Sequence, residues 1–132
     1  FPDLLPRLYQ PFYQDRQGDF REGESQTVNY PMFAYDGGLR SRYTHFTIPA
    51  GYQTAGVPFE GEAKAAFDAV TSIVEDPSLA CSFTIQPGQL QIVNNRTIGH
   101  GRGEYKDSSD PSERRHLLRL WHRDWGRRAY GG

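Results

Sequence analysis

The chain has 132 residues, enough for one domain at most. Its 15 basic and 16 acidic side chains leave a net charge of −1, which excludes a globally basic nucleic-acid binder. A single cysteine, Cys81, excludes an internal disulfide framework and a cysteine-based zinc site, and no run approaches the roughly eighteen apolar residues of a membrane span.

Aromatic residues make up 14% of the chain, with 14 Gly and 9 Pro, a balance that favours strands joined by turns over a helical bundle. The chain opens on Phe1-Pro2-Asp3, with no charged segment leading into an apolar one. A signal peptide is therefore not expected, and the cytoplasm is the expected compartment. The sequence reads as a piece of a longer protein.

Leu4, Leu5, Leu8, Tyr9 and Phe12 recur at three- and four-residue spacing and predict a short amphipathic helix. Pro6 falls in its first turn, where a missing N–H does no harm. Residues 14–26 are polar and read as a loop. From Thr27 to Ile48 the pattern turns to β-formers (Val28, Tyr30, Met32, Phe33, then Leu39, Tyr43, Phe46 and Ile48), broken by the hairpin signal Asp36-Gly37-Gly38. Pro49 to Gly61 reads as loop. Glu62 to Glu75 is the best helix: Phe67, Val70, Ile73 and Val74 form a stripe among alanines, and Asp76-Pro77 ends it. Three β-like runs follow, Leu79–Ile85, Leu90–Asn94 and Arg114–Trp121, with a turn at Pro87-Gly88 and a polar loop through Asp107–Pro111. Cys81 stands in the first of these runs and is expected to be a small buried hydrophobe. No internal repeat is present.

Charge is unevenly spread. Residues 1–89 hold 6 basic and 11 acidic side chains, whereas residues 90–132 hold 9 and 5. The last third therefore attracts anions. His100 stands there between Gly99 and Gly101, which leaves room for a close approach to its ring. Fifteen positions on comes Arg115. Alternation along a strand puts Arg115, Leu117 and Arg119 on one face, and His116, Leu118 and Leu120 on the other. The two arginine Cα atoms would stand roughly 13 Å apart, close enough for both side chains to lean on one ligand. A guanidinium on such a face makes a bidentate clamp for a carboxylate. The residues alone equally allow a turn histidine, and arginines that merely answer the acidic first half.

Gln86-Pro87-Gly88, Asn94-Asn95-Arg96-Thr97-Ile98-Gly99-His100-Gly101-Arg102 and Arg114-Arg115-His116-Leu117-Leu118-Arg119-Leu120-Trp121 together resemble the C-terminal part of the taurine dioxygenase-like (TauD/TfdA) family of iron(II)- and 2-oxoglutarate-dependent dioxygenases. Upstream stretches, residues 30–43 and 66–88, also look like this family, so the resemblance covers most of the chain. It implies a mainly β fold with flanking helices (α+β), a double-stranded β-helix or jelly roll, here incomplete. Residues 1–132 would be the C-terminal portion of one dioxygenase domain, without its N-terminal portion. Implied partners are Fe(II), 2-oxoglutarate as co-substrate, O2 and a small organic substrate, anionic in some relatives, oxidised as 2-oxoglutarate is decarboxylated to succinate. Neither nucleic acid nor a membrane is implied.

By position, His100 resembles the distal histidine of the family's two-histidine, one-carboxylate iron site. Arg115 resembles the arginine that grips the far carboxylate of 2-oxoglutarate, and Arg119 the second arginine facing co-substrate or substrate. Gly99 departs from the bulky aliphatic residue usual before that histidine. The other two metal ligands form a His-x-Asp or His-x-Glu motif upstream. His45, followed by Phe46-Thr47, does not match it, and His122-Arg123-Asp124 matches in the wrong chain order. The chain alone is therefore expected to be inactive. The alternative is a non-catalytic β-rich module that binds a small anion through the Arg115/Arg119 face.

Overall fold

A computed structural model of the chain describes residues 1–95 and 97–120. The chain divides into two compact units, Phe1–Gly99 and His100–Gly132, taken separately below.

The first unit opens with a 3-10 turn, Pro2–Leu4, that runs into the one-turn helix α1, Leu5–Leu8. The apolar spacing that predicts a helix through Phe12 does not carry that far. Pro11 disfavours helical geometry in the residue before it, so α1 stops short and Pro11–Asp15 becomes strand β1. Strand β2, Thr27–Pro31, pairs with it antiparallel, from Pro11 opposite Pro31 to Asp15 opposite Thr27. Phe12 and Gln14 point inward from β1, while Tyr13 and Asp15 are half-buried.

Strands β3, Phe33–Tyr35, and β4, Leu39–Ser41, form the expected hairpin across Asp36-Gly37-Gly38. Gly37 takes φ +67°, Asp36 N–H donates to Gly38 O at 3.1 Å, and Arg40 closes on the Asp36 carboxylate at 2.6 Å.

Helix α2, Thr47–Ala55, replaces the loop expected from Pro49 onward. Ile48, Gly51 and Tyr52 lie one turn apart along its inner face and are buried. Gly56, at φ +67°, ends it: Gly56 N–H reaches Gln53 O at 3.1 Å and Val57 N–H reaches Tyr52 O at 3.0 Å, a Schellman closure. Gly51 explains how so weak a helical sequence is held. A Cβ built there would lie 2.6 Å from Gln14 Cα, Gln14 N and Tyr13 C. The α2 backbone thus rests on the β1 backbone with nothing between them.

Helix α3, Gly61–Val74, matches the expected Glu62–Glu75 within a residue at each end. Ala66, Phe67, Ala69 and Val70 face inward, but Ile73 and Val74, read from sequence as part of the same stripe, are exposed. The core joins Leu8, Phe12, Met32, Ile48, Tyr52, Ala66, Phe67 and Val70. Phe59 bridges its halves, stacked on Tyr52 at 4.4 Å between ring centres and edge-on to Phe67 at 5.3 Å.

Between α3 and Gly99 the described residues show turns but no further helix or strand beyond a 3-10 turn. Asp76 caps a 3-10 turn, Pro77–Leu79, by accepting from Ser78 N–H at 2.8 Å. The Pro87-Gly88 turn is present: Gly88 takes φ +83°, Gln89 N–H donates to Gln86 O at 3.0 Å, and Gln86 N–H donates to Gln89 Oε1 at 2.8 Å. Its flanks are not strands. Among the described residues Leu79–Ile85 and Leu90–Asn94 form no strand, Leu90 and Ile92 are 84% and 87% exposed, and Cys81 is exposed rather than buried. β-forming side chains do not make a strand when no neighbouring backbone accepts its N–H groups.

Two outcomes follow for the isolated chain. Gly51→Ala should lower its unfolding free energy by about 1–3 kcal/mol through overpacking against β1, whereas Gly38→Ala, whose added Cβ meets nothing within 4 Å, should change it little. Chemical denaturation reads both. The uncovered Leu79, Phe83, Leu90 and Ile92 should also make the chain self-associate, so that sedimentation depends on concentration and Leu90→Lys/Ile92→Lys reduces it.

Candidate functional site

The second unit is described from His100 to Leu120. Its organising feature is the loop through Ser108–Arg114, which satisfies its own polar groups. Asp110 caps the 3-10 turn Pro111–Glu113, its Oδ1 accepting from Ser112 N–H and Ser112 Oγ, each at 2.8 Å. Ser108 Oγ donates to Glu113 Oε2 at 3.0 Å, and Arg114 Nε donates to Ser108 O at 3.2 Å. Arg114 is thereby tied into the loop, and Arg115 is the first residue delivered beyond it.

The Arg114–Leu120 stretch is exposed and is not a strand, so the alternation that put Arg115 and Arg119 on one face has no sheet to act on. Its apolar members are uncovered, Leu118 at 88% exposure. The cause is the one that keeps residues 80–93 from forming strands: the described residues offer no partner strand. Trp121, which closes the expected strand, lies outside the described residues, as do His122, Asp124, the basic cluster Arg123, Arg127 and Arg128, and Arg96.

His100, Arg115 and Arg119 are all exposed. Among the described residues, no hydrogen bond, ion pair or ring contact joins His100 to either arginine. A Cβ added at Gly99 or Gly101 would meet nothing within 4 Å. Sequence reasoning missed Tyr105. The Arg102 guanidinium carbon lies 4.4 Å from its ring centre and that of Arg115 lies 5.3 Å from it. One aromatic side chain therefore links the segment carrying His100 to the segment carrying Arg115. The available signal was an aromatic residue placed between Glu104 and Lys106, where a solvated loop would favour a polar one.

The first unit holds a separate polar cluster around His45. Tyr43 Oη lies 3.3 Å from His45 Nδ1 and 2.9 Å from Thr71 Oγ1, with Glu75 3.7 Å from the same His45 nitrogen. This anchors the chain before α2 to α3, consistent with a structural histidine. Among the described residues, no three His, Cys, Asp or Glu side chains gather closely enough to hold a metal ion, and no helix is long and apolar enough to cross a membrane.

Residues 1–121 match the family described as taurine catabolism dioxygenase TauD, TfdA family. The chain belongs to this family. It is similar to FR-33289 synthase of Streptomyces rubellomurinus, 33% identical over 124 residues that cover 91% of this chain and 37% of that protein. It is 34% identical over 91 residues to uridine-5'-phosphate dioxygenase of an Amycolatopsis species, covering 67% of this chain and 32% of the relative. It is 36% identical over 123 residues to taurine hydroxylase-like protein SAT17 of Stachybotrys chartarum, covering 90% and 31%. The chain thus spans about a third of the length of the curated relatives it matches. The TauD/TfdA match takes in His100, Arg115 and Arg119.

The turn that presents Arg115 is pH-sensitive. The Ser112 amide and hydroxyl hold the Asp110 carboxyl below the usual aspartate range. The capped turn is therefore fully supported above that range and loosens as pH falls through the lowered value. A pH titration of the Ser112 amide by NMR should show its midpoint below that of an unstructured aspartate, and Asp110→Ala should abolish the transition.

Proposed function

We propose that this chain is the C-terminal portion of a single iron(II)- and 2-oxoglutarate-dependent dioxygenase domain of jelly-roll type. The observation that carries the reading is the TauD/TfdA match over residues 1–121, supported by relatives named as a dioxygenase and a hydroxylase-like protein. In it His100 contributes one metal ligand, Arg115 holds the far carboxylate of 2-oxoglutarate, and Arg119 supplies a second positive charge toward co-substrate or substrate. Iron and 2-oxoglutarate together supply the oxidation, with O2 as oxidant.

The described residues do not by themselves fit a complete iron site: no three His, Cys, Asp or Glu side chains among them gather at His100 or elsewhere. The two remaining ligands are assigned to sequence encoded upstream of Phe1, as a His-x-Asp or His-x-Glu motif. An iron bound by one imidazole is weakly held, since affinity grows with the number of ligands the fold brings together.

What this chain supplies is recognition of an anion. Arg115 forms neither a hydrogen bond nor an ion pair among the described residues, so its fork of donors is available. A planar guanidinium can meet a carboxylate with two parallel N–H···O bonds. The excess of positive charge after residue 90 draws anions to the same region. One relative is named for uridine-5'-phosphate, a substrate that carries a phosphate, and we assign this chain a small, anionic organic substrate as well.

In the complete protein, Arg115→Ala should weaken 2-oxoglutarate binding about ten- to a hundredfold, from the roughly 1.5–3 kcal/mol of a charged hydrogen-bonded pair. Arg115→Lys should recover part of it, and Fe(II) affinity should hardly move. Intact 2-oxoglutarate affinity in Arg115→Ala would move the clamp role to Arg119. The 132-residue chain on its own should form no succinate from 2-oxoglutarate and Fe(II). Anion binding that ignores Fe(II), with no upstream ligand motif encoded, would instead favour the non-catalytic anion-binding module.

A further inference from the structure

We infer that Tyr105 is the positioning residue of the Arg115 clamp, holding that guanidinium on its ring together with the guanidinium of Arg102. The inference rests on the reading of Arg115 as the co-substrate clamp and adds to it a residue that the sequence pattern does not single out.

The geometry is compact. Both guanidinium carbons fall inside the range of about 6 Å at which a cation is attracted by an aromatic face, at 4.4 Å for Arg102 and 5.3 Å for Arg115. They can be no farther apart than the sum of those two distances. Two positive charges so confined repel each other, and an anion between them relieves the repulsion. The ring therefore assembles a doubly cationic place from Arg102, two residues beyond His100, and Arg115.

The manner of holding matters as much as the distance. An arginine can be immobilised by an acidic partner, but that partner occupies the N–H fork a ligand would use. A ring takes the flat face of the guanidinium and leaves the donors at its edge. Arg114, the neighbouring residue, shows the contrast: its Nε is spent on Ser108 O at 3.2 Å. Arg115 has no such bond among the described residues and is held by Tyr105 instead. Restricting this long side chain before the ligand arrives lowers the rotamer entropy lost on binding.

Tyr105 is half exposed, so replacing it does not open a core. The test uses the 132-residue chain, arginine Nε–Hε resonances in NMR spectra, and 2-oxoglutarate as the titrated probe. In the wild type, the Arg102 and Arg115 Hε signals should carry ring-current shifts, and Tyr105→Leu should move both toward free-arginine positions. Tyr105→Phe, which keeps the ring, should preserve them. Tyr105→Leu should weaken 2-oxoglutarate binding about two- to fivefold, the worth of an exposed cation–π contact, and Tyr105→Phe should bind as wild type. An Arg115 Hε signal unmoved by Tyr105→Leu would overturn the proposal. So would wild-type affinity in Tyr105→Leu while Arg115→Ala loses binding, and in that case the clamp itself stands. If Arg115→Ala binds 2-oxoglutarate as the wild type does, the clamp reading falls and the positioning role falls with it.

Discussion

The contact of the α2 backbone with the β1 backbone at Gly51 is the constraint on which the ordered part of this chain depends. With no side chain in the way, the helix comes close enough to bury Ile48 and Tyr52 against the β1–β2 ribbon. Tyr52 then stacks on Phe59, and Phe59 meets Phe67 of α3 in a T-shaped contact. Arg7, stacked on Phe12 at 4.0 Å and bonded to Tyr52 Oη at 3.2 Å, ties the N-terminal turn to the same assembly. The core is thus a chain of contacts starting from one small residue.

Residues after α3 are held by another kind of force. Hydrogen bonds among the described residues there include local ones: Asp76 with Ser78, Gln86 with Gln89, Asp110 with Ser112, Ser108 with Glu113. Such bonds fix turns but bury no apolar surface, and Leu90, Ile92 and Leu118 stay in solvent. The part of the chain that carries His100, Arg115 and Arg119 is therefore shaped at its turns and left open between them. The chain spans about a third of the length of the curated relatives it matches.

What could be read from the residues divides along the same line. Asp36-Gly37-Gly38, Pro87-Gly88 and α3 are legible because turn chemistry and a strong helical stripe act within a few residues. Strand β1 is hidden because Phe12 happens to continue the spacing of Leu4, Leu5 and Leu8, and only Pro11 signals the break. Helix α2 is hidden because Pro49 and Gly51 speak against a helix, while the contact that rewards Gly51 comes from a strand far away in sequence. The runs at 79–85, 90–94 and 114–121 have the composition of strands, but composition cannot supply a partner. At the candidate site, His100, Arg115 and Arg119 stand out through their family resemblance. Tyr105 does not, since its part depends on two arginines folding back to it.

The two aspartate-capped turns share the tripeptide Asp-Pro-Ser, at residues 76–78 and 110–112. Each needs nothing beyond its own atoms: proline fixes one dihedral, and the aspartate accepts from the serine two places on. They can form while the rest of the chain is still searching for its contacts. Bends set in advance shorten the loops that must close when distant strands meet, and loop closure is the entropic toll on sheet formation. During synthesis or refolding, these two corners would then give direction to the segments on either side of them, ahead of longer-range contacts.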